Sequence, residues 1–161
     1  MRYSRAVAAL PTAVFIDYDD LYHVLLNKLG RAGAPEKIIS EATEALLTLL
    51  QRQMNAQITT LRAYADFPAL DVPGIPQGLT EVGVQAVYVS ESRQRNAAEI
   101  ELTMDAVALL ATHPEVRRVV VVTGQRLHLP LLRRIKEMGR SLVVVASETL
   151  RERAALLLDD Q

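Results

Sequence analysis

The chain has 161 residues, half of them hydrophobic, with a formal net charge of −1 and no cysteine. One domain with a substantial core suits that length, the charge balance gives no overall pull toward nucleic acid or a membrane surface, and disulfide and thiolate chemistry are excluded. No apolar run reaches the roughly 20 residues of a membrane span and the opening MRYSRAVAALPTAVF lacks a long apolar core, so a cytoplasmic protein without membrane association is expected.

Residues 1–11 read as an N-terminal extension, 12–158 as one domain and 159–161 as a tail. The first strand is expected at Thr12–Asp17, a short apolar run without alternation, which is the pattern of a strand buried on both faces. A helix at Asp20–Leu29 and a loop at Gly30–Pro35 follow. The long apolar-striped helix Glu36–Met54 reads as a core helix with room for a homodimer contact. Next come a strand at Gln57–Tyr64, an irregular Pro-rich stretch at Asp66–Pro76 (a lid or a surface loop) and a short helix at Leu79–Val82. A strand at Gln85–Val89 leads into the polar loop Ser90–Asn96 and the helix Ala97–Thr112. The strand Arg117–Thr123, the helix His128–Met138 with Gly139 at its C-cap, the strand Ser141–Ala146 and a last helix at Glu148–Leu157 complete the chain. Strands alternating with helices imply an α/β fold with a parallel sheet between two helical layers.

Asp17, Asp19 and Asp20 crowd the end of the first strand. Their mutual repulsion drives no folding, and the carboxyl end of a strand in an open α/β sheet is where ligands bind. One of the three suffices to cap the following helix, so the excess points to a metal or phosphate site. A phosphoacceptor receiver domain also needs an aspartate after its third strand and a lysine after its fifth. Here those ends read Tyr88-Val89-Ser90 and Val145-Ala146-Ser147. A haloacid-dehalogenase-like phosphatase needs threonine or valine where Leu21 stands, and Ser147-Glu148 is a poor match to its late acidic pair. That phosphatase stays a distant alternative.

A third pattern covers much more of the chain. The run FIDYDDLY at 15–22, the strand exit Tyr64-Ala65-Asp66-Phe67, and Arg95-Asn96-Ala97-Ala98-Glu99 with Asp105 six residues on, followed by Val119–Gly124, Leu129-Pro130-Leu131-Leu132 and Gly139, resemble in order the NYN domains, relatives of the PIN-domain nucleases. The resemblance implies a three-layer α/β/α PIN-like, Rossmann-like fold with a mostly parallel five-stranded sheet in the order 3-2-1-4-5. It implies catalytic carboxylates at Asp17, Asp20, Glu99 and Asp105, with Mg2+ or Mn2+ held by Asp17 and Asp105, and RNA as the partner of a metal-dependent endoribonuclease. Further domains of a longer protein fit the same picture.

One segment departs from the family. After the fourth strand, where the family has a serine-glycine-aspartate-x-aspartate-phenylalanine run, this chain reads Thr123-Gly124-Gln125-Arg126-Leu127-His128. Two acids are missing and Arg126 adds a positive charge. Metal-dependent phosphodiester hydrolysis needs carboxylates to hold the ion that activates water and neutralises developing charge. Magnesium takes few protein ligands and keeps several waters, so two or three carboxylates can suffice. Glu99 and Asp105 are separated by about 240° around a helix, however, and do not share one face. A weakened magnesium site is therefore expected, with an RNA-binding or protein-binding domain of the same descent but no catalysis as the alternative. Asp105, amid apolar neighbours, needs a partner, for which Arg95 or Arg126 is the candidate. Such an ion pair would mark a retired metal site. Arg93, Arg95 and Arg126 are candidate phosphate contacts. For His128, which stands in the place of the family's phenylalanine, a start to its helix without chemical duty is expected, with a general base or a phosphate contact as the alternatives.

Overall fold

A computed structural model describes residues 8–29, 44, 45, 48, 52, 55–124, 126 and 128–146. In chain order the elements are β1 (Leu10–Asp17), α1 (Tyr18–Leu29), β2 (Ala56–Ala65), a 3-10 turn (Phe67–Ala69), α2 (Ile75–Glu81), β3 (Gln85–Tyr88), α3 (Ala97–Thr112), β4 (Arg118–Val122), α4 (Leu129–Glu137) and β5 (Ser141–Val145). The predicted helix Glu36–Met54, apart from four isolated positions, and the predicted helix Glu148–Leu157 lie outside the described residues, as do Gln125 and Leu127. The short helix predicted at Leu79–Val82 starts earlier, at Ile75, because Gly74 turns the chain in the left-handed region just before a proline in the first helical turn. Among the described residues no helix is long and apolar enough to cross a membrane.

The five strands form one parallel sheet in the order β3-β2-β1-β4-β5. β1 lies at its centre and is flanked by β2 and β4, which explains its apolar run: both of its faces are covered. Residues alternate between two cores. On one face Val14, Ile16, Ala63, Ala65, Val120 and Val122 pack with Tyr18 and Tyr22 of α1 and Ile75 and Leu79 of α2. On the other, Ala13, Phe15, Tyr64, Val119 and Val121 pack with Ala98, Leu102 and Ala106 of α3 and Leu131, Leu132 and Ile135 of α4. Fully burying side chains of this size is worth about 1.5–3 kcal/mol each. The α/β/α layering therefore follows from the two apolar sides of one sheet.

Helix ends set the loops that matter for function. α4 stops at Gly139, whose φ of +72° is a left-handed C-cap. Its N–H donates to the Lys136 carbonyl, while the Arg140 N–H reaches Ile135. α3 and α4 begin at Asn96 and His128, both at positive φ and neither using its own side chain as a cap. Both helices start beside the carboxyl edge of the sheet, so their first N–H groups are available to groups on neighbouring loops.

Candidate functional site

Asp17 ends β1 and is fully buried. Its Oδ1 accepts the Asp20 N–H at 3.2 Å, which caps the start of α1. Its Oδ2 is shared by His128 Nε2 at 2.9 Å and Arg126 Nη1 at 3.4 Å. His128 is itself buried, and its Nδ1 has no hydrogen-bond partner. The histidine expected to have no duty is thus the shortest side-chain partner of the central aspartate.

Asp20 has a different task. Its Oδ2 accepts three hydrogen bonds at 2.8 Å each, from Thr123 Oγ1, the Gly124 N–H and the Arg126 N–H. Thr123 Oγ1 is also 3.1 Å from the Arg126 carbonyl. One carboxylate oxygen therefore gathers the turn that leaves β4. Gly124 is required there because a Cβ at this position would stand 2.6 Å from Val24 Cγ2 and 2.7 Å from the Asp20 carbonyl oxygen. The backbone of Arg126 is thereby fixed and its guanidinium is delivered over the edge of the sheet.

Three carboxylates meet that guanidinium. Asp17 lies at 3.4 Å, Glu91 Oε1 at 3.6 Å from the same Nη1, and Asp19 Oδ2 at 3.7 Å from Nη2. Burial opposes the charge on Arg126, but Asp17, Glu91, Asp20 and Asp19 outweigh it and raise its pKa. Glu91 Oε1 also accepts the Ala98 N–H at 3.0 Å, supplying the cap that Asn96 does not. The Glu91 N–H donates to Asp66 Oδ2 at 3.1 Å, tying the exit of β3 to that of β2. Sequence reasoning missed Glu91. The signal was present, a carboxylate three residues past a strand end, but nothing in the local pattern separated it from a solvated loop charge.

Asp19 carries a testable electrostatic consequence. Burial raises its carboxyl pKa above the ordinary 3.8 and the nearby Glu91 adds to this, while His23 and Arg126 pull it down less strongly. A carboxyl whose pKa is higher folded than unfolded binds more protons in the folded state, so its contribution to stability is lost as pH rises through the window above the ordinary value. Asp19→Asn removes that loss. The expected result is a stability difference that moves in favour of Asp19→Asn as pH is raised from about 4, measured by urea melts of both proteins. A difference that moves toward wild type with rising pH would contradict it.

The other sequence-predicted positions are not gathered into this ring. Asp105 faces β2, where its Oδ2 accepts Tyr64 Oη at 2.8 Å and lies 3.4 Å from Arg62 Nη1. Its ion-pair partner is thus Arg62, not Arg95 or Arg126, because its turn of α3 lies over the carboxyl-terminal half of β2. Arg62 Nε also donates to Gln85 Oε1 at 3.2 Å. Burial, and then the bond to Asp105, raise the Tyr64 hydroxyl pKa. Glu99 lies half-buried in the first turn of α3, where it meets the helix dipole favourably. Arg93 and Arg95 are exposed on the loop that follows β3.

A divalent ion does not fit the ring as it is arranged. A guanidinium stands between the carboxylates that would hold the ion, and Asp20 Oδ2 already accepts three hydrogen bonds. Among the described residues no three His, Asp or Glu side chains are disposed to hold a metal.

With this geometry in place, comparison with known proteins is informative. The family model described as NYN domain matches residues 11–158. The crystal structure of a protein of unknown function, VPA0982 from Vibrio parahaemolyticus, is similar with a TM-score of 0.61 at 18% identity, over 93% of this chain and 87% of that one. At that identity the likeness concerns the fold alone. No curated protein matches the sequence.

Proposed function

Because this chain belongs to the NYN domain family, a PIN-like nuclease family, we propose that it is an RNA-associated domain of ribonuclease descent whose acidic site no longer supports metal-dependent cleavage. The observation that carries this reading is the engagement of Asp17. The carboxylate in the family's leading acidic position is fully buried, caps α1 with one oxygen and shares the other between His128 and Arg126. Asp105, the second expected metal ligand, is engaged by Tyr64 and Arg62. Carboxylates spent on fixed protein donors are poor ligands for a hard cation, which must replace those donors before it binds.

RNA as the partner is supported by the family and by the exposed Arg93 and Arg95 beside the carboxyl edge of the sheet, where arginines can pair with phosphates. The test combines binding and cleavage of single-stranded RNA. Wild type is expected to bind in a salt-sensitive manner. Arg93→Ala with Arg95→Ala weakens binding and reduces the magnitude of the log–log salt slope by about 0.7 for each phosphate that is no longer neutralised. In Mg2+ or Mn2+, wild type and Asp17→Asn are expected to leave the RNA equally intact. Cleavage that requires Asp17 would overturn the proposal in favour of a working endoribonuclease. Absence of RNA binding would leave a protein partner as the reading to pursue.

A further inference from the structure

We infer that Tyr88 is a stacking platform for a base of single-stranded RNA whose phosphates run past Arg93 and Arg95. This rests on the preceding reading that the domain associates with RNA, and it names the side chain that distinguishes a single strand from a bare polyanion. Aromatic residues are scarce in this chain, five tyrosines and two phenylalanines with no tryptophan. Phe15, Tyr18, Tyr22, Tyr64 and Phe67 are buried in the two cores, whereas Tyr88 is 60% exposed.

The Tyr88 ring is exposed but not loose. It meets buried Phe67 at a centroid distance of 5.1 Å and an interplanar angle of 64°, an edge-to-face contact. Phe67 in turn packs against Tyr18 at 5.8 Å. The core thus fixes one side of the ring and leaves the rest open to solvent. A tyrosine held in this way has little freedom left to lose when a flat ligand settles on it.

Tyr88 is the last residue of β3 and lies at the carboxyl edge of the sheet. The exposed Arg93 and Arg95 follow in a loop that is folded back by the Arg93 and Gln94 amides on the Ser90 carbonyl. An aromatic face and two guanidinium groups at one strand exit are what single-strand binders combine, since bases stack on the ring while cations track the backbone. Beside Tyr88 an open groove of about 760 Å3 runs between α2 and the edge of β3, lined among others by Pro76, Gln77, Thr80, Glu81 and Ala86. Among the described residues no lysine or arginine lines it, and Glu81 makes it negative. Phosphates are therefore directed away from the groove and toward the arginine loop, while an uncharged base meets amide, hydroxyl and carboxylate groups there. A paired base inside a duplex is already stacked on both faces, so the assignment is to single strands.

The test is binding of a labelled single-stranded RNA of about ten nucleotides to wild type, Tyr88→Ala, Tyr88→Phe and Tyr88→Trp. Tyr88→Ala is expected to weaken binding by about 5- to 150-fold, the equivalent of one lost stacking contact. Its log–log salt slope is expected to match wild type, because no phosphate contact is removed. Tyr88→Phe keeps the ring and the affinity. Tyr88→Trp introduces the only indole in the chain, and its emission is expected to be quenched as RNA is added. An abasic strand of the same length keeps the phosphates and removes the bases, so wild type and Tyr88→Ala are expected to bind it equally. A loss in Tyr88→Ala that is as large on the abasic strand as on the intact one counts against stacking, as does an unquenched Tyr88→Trp that binds. A Tyr88→Ala protein that binds single-stranded RNA as tightly as wild type, through Arg93 and Arg95, overturns this inference and leaves the RNA reading standing. An extended peptide added to the open edge of β3 is then the occupant to pursue for the groove. Wild type that binds no RNA overturns both.

Discussion

Asp17→Ala is expected to destabilise the protein by about 3–5 kcal/mol, the cost of removing one partner from a buried ion pair. The sign is the informative part. Four carboxylates, Asp17, Asp19, Asp20 and Glu91, surround this end of the sheet. In an open acidic site, deleting one of them relieves repulsion and leaves stability unchanged or improved. Here Asp17 is the fully buried acceptor for His128 Nε2 and for Arg126 Nη1, and it caps α1 through the Asp20 N–H. Its loss leaves the buried His128 imidazole without its acceptor and takes one of three carboxylates from the Arg126 guanidinium. Asp17→Asn retains the shape and one acceptor oxygen, so a smaller loss of about 1–3 kcal/mol is expected. Urea unfolding of the three proteins, with a lowered midpoint at constant slope, is the measurement. An Asp17→Ala protein as stable as wild type would mean that the pairings around Asp17 are worth nothing, and it would remove the main support for a retired site.

The second large effect is expected from Asp20→Ala, at about 3 kcal/mol. Three donors lose one acceptor, and each donor left unsatisfied and shielded from water costs about 1–3 kcal/mol, some of it recovered where solvent reaches the turn. The loss is local in character. The Gly124 and Arg126 amides both donate to Asp20, so their hydrogen exchange should quicken by more than that of the amides in β1. Asp20→Asn keeps an acceptor oxygen and should lose roughly half as much. The variant also bears on the site, since the backbone that aims the Arg126 guanidinium is held by Asp20. Protection at Gly124 and Arg126 that is unchanged in Asp20→Ala would show that the turn is held by something else.

Much of the fold was legible because its causes are local. The runs Ala13–Ile16 and Val119–Val122 lack alternation because both faces of central strands are covered, and they stand where expected, in β1 and β4. The helix Ala97–Thr112 matches its expected range, since its apolar positions Ala98, Leu102, Ala106 and Leu109 repeat at helical spacing and Pro114 follows its end. The order of the sheet came from family resemblance, and the observed order agrees. The helix before β3 was misplaced at its start because a proline in the first turn reads locally as a breaker, while the left-handed Gly74 makes it a helix start.

The site was less legible. Asp17 stood out because repelling charges at a strand end have no local justification. Arg126 stood out as a positive charge beside the expected metal position, and it does pair with Asp17, but the partners His128 and Glu91 could not be assigned locally. His128 is 111 residues from Asp17 along the chain, and Arg126 is 106 residues from the Asp20 carboxylate that holds it. Glu91 acquires its role only where the exits of β1, β2, β3 and β4 lie side by side. Asp105 needs a cation, and it has one, but the choice of Arg62 depends on which strand passes beneath that turn of α3.

By itself, then, the sequence determined the strands and most of the helices among the described residues, the α/β class and a concentration of acids at the end of the first strand. These depend on periodicity and composition, which act over a few neighbouring residues. Only the tertiary structure decided what those acids do. Side chains of opposite charge, far apart in the chain, settle their pairing by which loops meet at the sheet's carboxyl edge, and there an arginine on the turn after β4 reaches the space between the carboxylates.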